Sequence, residues 1–382
     1  MNAVHYAGHG HGGHGKQAAA AAAAAGTEQQ NAQLLYEFLK GLRNDTVDFK
    51  KPHLRLSLEH VYPACVALYL LLSVVGAVSN AAVLLALARR RRRRHAADPL
   101  HGLLANLAAS DLVKCVFVLP VSLAVLLIHN WVFGATFCYL LPMLQDMPLH
   151  VTTLTLVMIA VDRHRKILHP MRKRFSGGVC SFLVWLAALL VVMPYPIYTT
   201  YLDLGSLLKN DRFDGVGICA VNLAHDMQEY TRGLFLAMYV VPVAIITFLH
   251  INVSRELKSQ AEIRPLPPPP PPPAINGHGG CVGGGVQCRE CCSAAANAGL
   301  EIDVTTEQQT QKYVLMTTAA NALCLCPLAV LRMVQLLLME TYDNAAMFDL
   351  TFLVVVWLAF LPTCLAPLIF ALWTSAASRL PV

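Results

Sequence analysis

An acid–base pair and a cysteine mark the two ends of one apolar stretch. Asp162 and Arg163, followed by His164, close the stretch, and Cys138 lies 25 residues before the arginine. A carboxylate beside a guanidinium can form or exchange ion pairs, and a cysteine can form a disulfide. The run between them has about the length of one bilayer crossing, roughly 20 residues. The two kinds of chemistry would therefore lie on opposite sides of a membrane.

Other polar side chains lie inside apolar blocks. Asp111 lies in the middle of one block, and Asn80 lies within another. A charge at the centre of a bilayer costs at least about 2.5–3.5 kcal/mol, so Asp111 is a candidate functional residue. Lys114 lies three residues after Asp111, a spacing at which opposite charges pair on a helix.

Seven long apolar blocks must position these residues. The chain is 56% hydrophobic and 14% charged, whereas soluble domains have about 25% charged residues. Each block could cross a hydrocarbon core of about 30 Å, and the backbone in lipid must bond within its own segment, which predicts an all-α bundle. The blocks are 61–88, 99–128, 136–161, 179–201, 231–254, 311–338 and 350–374. Pro242, Pro327 and Pro367 would kink the last three helices.

The distribution of basic residues predicts the orientation. Six consecutive arginines, Arg89–Arg94, follow the first block, and further Lys and Arg follow the third and fifth blocks. Because cytoplasmic loops are rich in Lys and Arg, the N-terminus is expected on the outer side of the membrane. The net charge of +6 arises mostly from this asymmetry, so nucleic-acid binding is not predicted. With the N-terminus outside, Asn44 in the motif Asn44-Asp45-Thr46 is expected to be a glycosylation acceptor.

Three regions flank or interrupt the predicted bundle of residues 60–374. Residues 1–59 would be a low-complexity extracellular tail in which no metal site is predicted, and 375–382 a short cytoplasmic tail. Residues 255–308 would form a long cytoplasmic loop. Its seven prolines, Pro267–Pro273, could dock an SH3- or WW-type module or act as a spacer. The loop cysteines could be free thiols, palmitoylation sites or zinc ligands: Cys281, Cys288, Cys291 and Cys292.

Taken in order, these residues resemble the rhodopsin-like (class A) G-protein-coupled receptors, over about 60–374. The similarity is carried by Asn80, Asp111, Trp131-Val132-Phe133-Gly134, Cys138, Asp162-Arg163-His164, Trp185 and Pro242. The stretch from Leu149 to Pro170 is most similar to receptors of the neuropeptide Y and tachykinin neighbourhood. The resemblance implies a disulfide between Cys138 and Cys219. It also implies that Glu307 pairs with Arg163 to hold the receptor inactive, although Glu307 could instead be a solvated loop residue.

Several departures from the family pattern lie on the activation side. Leu325 stands for a tryptophan and Asn321 for a phenylalanine in the sixth helix, and His250 stands for a tyrosine in the fifth. In the seventh helix, Ala366 replaces an asparagine and Phe370 a tyrosine. A receptor-fold protein that signals weakly, as a scavenger, heteromer partner or biased receptor, is therefore the alternative interpretation.

The resemblance also suggests a sodium ion at Asp111, with Thr152 as a neighbour. Ala366 and Pro362 replace polar partners on the seventh helix, however. A bridge from Lys114 to Asp111, or from Lys114 to Asp146, could take the place of the ion. Both possibilities stay open at this point.

The outer cavity of such a receptor would be lined by six polar residues: Gln145, Asp146, His150, Arg332, Gln335 and Asp349. Gln145 resembles the glutamine of neuropeptide Y receptors, whereas an amine receptor would carry aspartate there. Asp146 and Asp349 could bind the arginine of a peptide through carboxylate–guanidinium pairs. Alternatively, Asp146 pairs internally with Lys114 or Arg332. The predicted protein is thus a membrane receptor, not an enzyme, whose partners are a peptide ligand, a heterotrimeric G protein and membrane lipid.

Overall fold

Seven long apolar helices make up most of the computed structural model, which describes residues 51–93, 98–209, 216–221, 225–263, 304–335 and 345–377. Each helix is long and apolar enough to cross a membrane. The predicted all-α, seven-helix bundle is therefore confirmed. The helices are α1 (Tyr62–Arg93), α2 (Pro99–Leu127), α3 (Gly134–Leu168), α4 (Gly177–Val192 continued by Tyr195–Tyr198), α5 (His225–Ile263), α6 (Val304–Gln335) and α7 (Ala345–Phe360 continued by Pro362–Ala377).

Two helices contain a π-helical turn just before a proline. A π-helical turn, Lys114–Val118, interrupts α2 just before Pro120, and a second, Leu236–Val240, interrupts α5 just before Pro242. Proline lacks the N–H that would bond to the preceding turn, so the ladder loosens there.

The sequence predicts a kink of the seventh helix at Pro367. In the structure the break falls at Leu361, because Pro362 begins the second half of α7, and Pro367 lies inside that half. Pro327 likewise lies inside a continuous α6.

A two-stranded sheet follows the fourth helix, where the sequence had suggested that the apolar block continues to residue 201. Strand β1 (Thr199–Asp203) pairs antiparallel with β2 (Gly217–Val221), and Tyr201 faces Cys219. The regular helix ends at Val192 because Pro194 follows, one further turn at Tyr195–Tyr198 starts around Pro196, and β-branched and aromatic residues then favour a strand.

The predicted cytoplasmic loop 255–308 is shorter than expected at both ends. Helix α5 continues to Ile263 and α6 already begins at Val304, and α7 extends to Ala377. The proline run, the loop cysteines, Asn44 and the final residues 378–382 lie outside the described residues.

Helix α3 lies at the centre of the bundle and packs against α2, α4, α5 and α6. Buried side chains such as Leu104, Ile159 and Val314 join α2, α3 and α6. Large apolar side chains remain exposed on the outer faces, for example Leu71 and Phe182. Such an apolar exterior fits a lipid environment.

Residues 51–58, here called the N-terminal segment, pack onto the bundle although they were assigned to a low-complexity tail. The Arg55 N–H donates to the Leu127 carbonyl at 2.9 Å, and the His53 N–H donates to Asn130 Oδ1 at 2.8 Å. Leu58 is 1% exposed. Residues 51–58, which the sequence analysis placed in the tail, are thus part of the packed structure.

Candidate functional site

A disulfide fixes one end of α3, and that end of the bundle is called the disulfide end. Cys138 and Cys219 are bonded, with Cα atoms 5.6 Å apart, inside the usual range of about 4.4–6.8 Å. The bond ties β2, and through it β1, to the start of α3. The predicted disulfide is confirmed.

The opposite end of the bundle, called the arginine end, is organised around Arg163. This side chain is 0% exposed, and its guanidinium contacts the carboxylate of Glu307 on α6. It also donates to the Glu307 carbonyl at 3.1 Å. Lys166 lies 2.5 Å from the other carboxylate oxygen. Glu307 is thus a helical residue facing Arg163, not a loop residue in solvent, and it links α6 to α3.

Asp162 has a different partner, which the sequence did not indicate. Arg174, in the connection between α3 and α4, donates from Nε to Asp162 Oδ1 at 2.9 Å. The same guanidinium lies 2.9 Å from Asp98, which caps α2 by accepting from the Leu100 N–H. We call these three residues the Asp98–Arg174–Asp162 cluster. The sequence could have indicated the position of Asp98, because an aspartate followed by proline is typical of the start of a helix.

The charge balance of this cluster keeps Asp98 ionised. Burial by itself would raise the pKa of Asp98, but the nearby Arg174 guanidinium outweighs it, and the pKa lies below its usual value. His164, by contrast, stacks edge to face on His169, with ring centroids 5.8 Å apart.

His250 and Phe370 occupy the two positions at which the family has tyrosines. His250 is buried on α5, and its Nδ1 lies 2.7 Å from the Gln311 side-chain nitrogen on α6. Phe370 packs on the Tyr313 ring at 6.2 Å. Among the described protein atoms, the His250 Nε2 and the Arg163 Nε have no hydrogen-bond partner.

The middle of the bundle holds a buried ion pair. Lys114 Nζ lies 2.6 Å from Asp111 on the same helix, and it donates to the Thr152 hydroxyl of α3 at 2.7 Å. Both charged side chains are almost completely buried. Of the two predicted bridges, the one to Asp111 is formed. Asn80 links α1 to α7 by donating to the Thr363 carbonyl at 2.7 Å.

Asp146 pairs internally at the disulfide end. Arg332 of α6 donates two hydrogen bonds to its carboxylate, at 2.7 and 2.9 Å, and the Tyr195 hydroxyl donates a third. Of the two alternatives for Asp146, the internal pair with Arg332 is the one formed. Asp146 is therefore not an unoccupied anchor for a ligand.

Asp349 also has a partner from the same chain. Arg55 lies 2.5 Å from one carboxylate oxygen, and the Ser57 hydroxyl donates to the other at 2.6 Å. Both partners belong to the N-terminal segment. The sequence analysis did not predict this contact, because it assigned these residues to a low-complexity tail. The two predicted acidic anchors are thus each bound to an arginine of the chain.

A small apolar cavity of about 60 Å³ lies between α3, α5 and α6 below these contacts. Two of the six predicted ligand residues, His150 and Arg332, line it, together with Leu325. The other four are placed differently. Gln145 donates to the Ser122 hydroxyl at 2.9 Å, Asp146 and Asp349 hold the pairs described above, and Gln335 ends α6 half-buried.

Helix α3 thus carries a disulfide-linked hairpin and a small cavity toward one end and the buried Arg163 at the other. A comparison with known protein families agrees with this arrangement. The profile of the family described as 7 transmembrane receptor (rhodopsin family) matches residues 79–370. The chain belongs to this family of receptors and is a multi-pass protein of the plasma membrane. The resemblance drawn from the motifs is confirmed.

Curated relatives are neuropeptide receptors. Neuropeptide Y receptor type 5 of Sus scrofa is 29% identical over 201 residues, covering 50% of this chain and 44% of that protein. Neuropeptide Y receptor type 2 of Gallus gallus is 31% identical over 165 residues, 41% and 42% of the two chains. Neuropeptide receptor npr-1 of Caenorhabditis elegans is 29% identical over 164 residues, which cover 42% of this chain and 35% of that protein. The chain spans less than half the length of these relatives.

Proposed function

We propose that this protein is a G-protein-coupled receptor whose ligand is a neuropeptide. The observation that carries the proposal is the contact of Arg163 with Glu307, a buried charge pair that joins α3 to α6. A buried ion pair that can be separated is a two-state element, which a receptor needs. The relatives, which are named as neuropeptide receptors, support the ligand class. The protein acts by binding and conformational change and is not an enzyme.

The ligand would enter at the disulfide end, which is oriented outward. There Asp146 and Arg332 join the same two helices that Arg163 and Glu307 join at the arginine end. A ligand that alters the outer contact favours a different position of α6. When α6 moves away from α3, Arg163 becomes available to a G protein. Coupling of this kind is reciprocal, so the G protein must tighten ligand binding by the same factor.

A cationic group on the peptide would have to compete with arginines of the receptor. Arg332 occupies Asp146, and Arg55 occupies Asp349. A peptide guanidinium can take either place because a carboxylate binds the planar fork in the same geometry. Leu325, on the cavity wall in place of a larger tryptophan, leaves room for an apolar peptide side chain.

The test uses cells that express the full chain together with biosensors for each class of heterotrimeric G protein. A panel of amidated peptides ending in arginine and an aromatic residue is applied, and G-protein activation is measured. We expect at least one peptide to activate one class, and Arg163→Ala to abolish activation while peptide binding persists. A peptide that binds without recruiting any G protein would refute the signalling part. Activation by lipids alone would refute the peptide part.

A further inference from the structure

Lys114 is a charged side chain at membrane depth that the proposed signalling mechanism does not use. It begins the π-helical turn of α2 and is 2% exposed. Ionisable residues inside a membrane bundle are rare and tend to be functional, and π turns are frequent at functional sites. Asp111, at 2.6 Å, is its acidic partner in the described part of the chain.

Lys114 is joined to α3 through the hydroxyls of Thr152 and Ser110. The ammonium donates to Thr152 Oγ1 at 2.7 Å, and the Thr152 hydroxyl lies 3.1 Å from Ser110 Oγ. Ser110 in turn donates to the Pro148 carbonyl at 2.9 Å. The ammonium therefore joins α2 to α3 through a continuous set of hydrogen bonds. It neutralises the carboxylate without any group from outside the chain.

A sodium ion, the alternative suggested by the family resemblance, does not fit this arrangement. Hard cations are held by several oxygen ligands, of which a carboxylate is the most important. Here the Asp111 carboxylate and the Thr152 oxygen both face the ammonium. Because the α7 positions Pro362 and Ala366 have no side-chain oxygen, the side-chain oxygens left for a cation are those of Asp111, Thr152 and Ser110, and the ammonium takes the first two. A second cation would also be repelled by the ammonium, since like charges interact strongly in a low-dielectric interior.

We propose that Lys114 is a permanent internal cation, which takes the place of a dissociable monovalent ion at Asp111 and makes the bundle insensitive to sodium. A tethered ammonium cannot leave when the ionic composition changes. The α2–α3 contact therefore persists at any sodium concentration. The proposal concerns the bundle alone and does not depend on the identity of the ligand or of the G protein.

The experiment measures thermal unfolding of the purified full chain in detergent, in about 150 mM sodium chloride or in the same concentration of choline chloride, so that ionic strength is held constant. The unaltered protein is expected to have the same midpoint in both salts. Lys114→Ala leaves a buried carboxylate without a partner, which is strongly destabilising. Sodium should then bind Asp111 and raise the midpoint of this variant by about 2 °C or more relative to choline, because a ligand that binds the folded state stabilises it.

Two further variants serve as controls. In Asp111→Asn combined with Lys114→Ala, the carboxylate and the ammonium are both removed, and no sodium effect is expected. Lys114→Arg keeps the positive charge and should stay insensitive. A higher midpoint of the unaltered protein in sodium than in choline would overturn the proposal, as would an equal midpoint of Lys114→Ala in both salts. If Lys114→Ala cannot be purified, the comparison of the unaltered protein in the two salts still decides, and Lys114→Gln repeats the test with a side chain of similar size.

Discussion

Arg332 on α6 binds the carboxylate of Asp146 on α3 through two hydrogen bonds, at 2.7 and 2.9 Å. The same two helices are joined a second time at the arginine end, where Arg163 meets Glu307. Helix α6 is thus held to α3 near both of its ends. Any outward movement of one end of α6 has to break a charge pair, which gives the bundle two discrete arrangements instead of a continuum.

Replacing Glu307 by Gln should raise basal G-protein activation about two-fold or more. The amide keeps the shape of the side chain but removes the charge that binds Arg163 and Lys166, so the arrangement with α6 close to α3 loses stability. The measurement is ligand-independent activation in cells at matched receptor density. Glu262→Gln is the control, because Glu262 is an exposed carboxylate at the same end of the bundle. Equal basal activity in both variants would contradict the proposed restraint.

Asp146 and Arg332 should show a coupling free energy of about 1–3 kcal/mol in a double-mutant cycle. Asp146→Asn leaves the guanidinium with a weakened partner, Arg332→Gln does the same for the carboxylate, and the double variant loses little more than either single change. Thermal or denaturant unfolding of the purified chain provides the values. The exposed pair of Arg232 and Glu229 is a matched control, and its coupling should be near zero. Additive effects at Asp146 and Arg332 would show that the contact does not hold α6.

Arg174→Gln should destabilise the protein by up to about 1 kcal/mol, since the cluster is partly exposed to solvent. Arg172→Gln, an exposed neighbour, should have little effect. The loss should also depend on pH. The pKa of Asp98 is depressed in the folded protein, so its stabilising contribution is complete above the unfolded value of about 3.9.

As the pH falls through the lower folded pKa, Asp98 becomes protonated and that contribution disappears. The difference in unfolding midpoint between the unaltered protein and Arg174→Gln should therefore be constant from about pH 7 to pH 5 and shrink below about pH 4. A difference that grows on acidification would mean that Asp98 does not stabilise the fold through Arg174.

Arg55→Ala should strengthen the binding of an arginine-containing peptide agonist, because it removes the group that occupies Asp349. Asp349→Asn should weaken the same peptide about ten-fold, which corresponds to roughly 1.4 kcal/mol. Competition binding with the labelled peptide measures both effects. Glu59→Gln, an exposed substitution near the same segment, is the control. If Arg55→Ala weakens binding, the N-terminal segment contributes to the ligand site instead of competing for it.

The sequence by itself determined the features that depend on local spacing or on length. Apolar blocks long enough for a bilayer define seven helices, because each helix satisfies its own backbone in lipid. The pair of Asp111 and Lys114 follows from a spacing of three residues, at which side chains on one helix are neighbours. The family motifs added Cys138 with Cys219 and Arg163 with Glu307, which the structure brings together.

Only the tertiary structure decided which of several distant charges meet. Asp146 could have paired with Lys114, Arg332 or a ligand, and Arg332 reaches it across 186 residues of sequence because α3 and α6 face each other at that depth. Arg55 meets Asp349 across 294 residues, since the N-terminal segment folds back over the disulfide end. Asp162 likewise binds Arg174, which is distant in sequence, and not the adjacent Arg163. Helical periodicity fixes the direction of a side chain on its own helix, but the rotation and contact of the helices are set by the packing of the whole bundle.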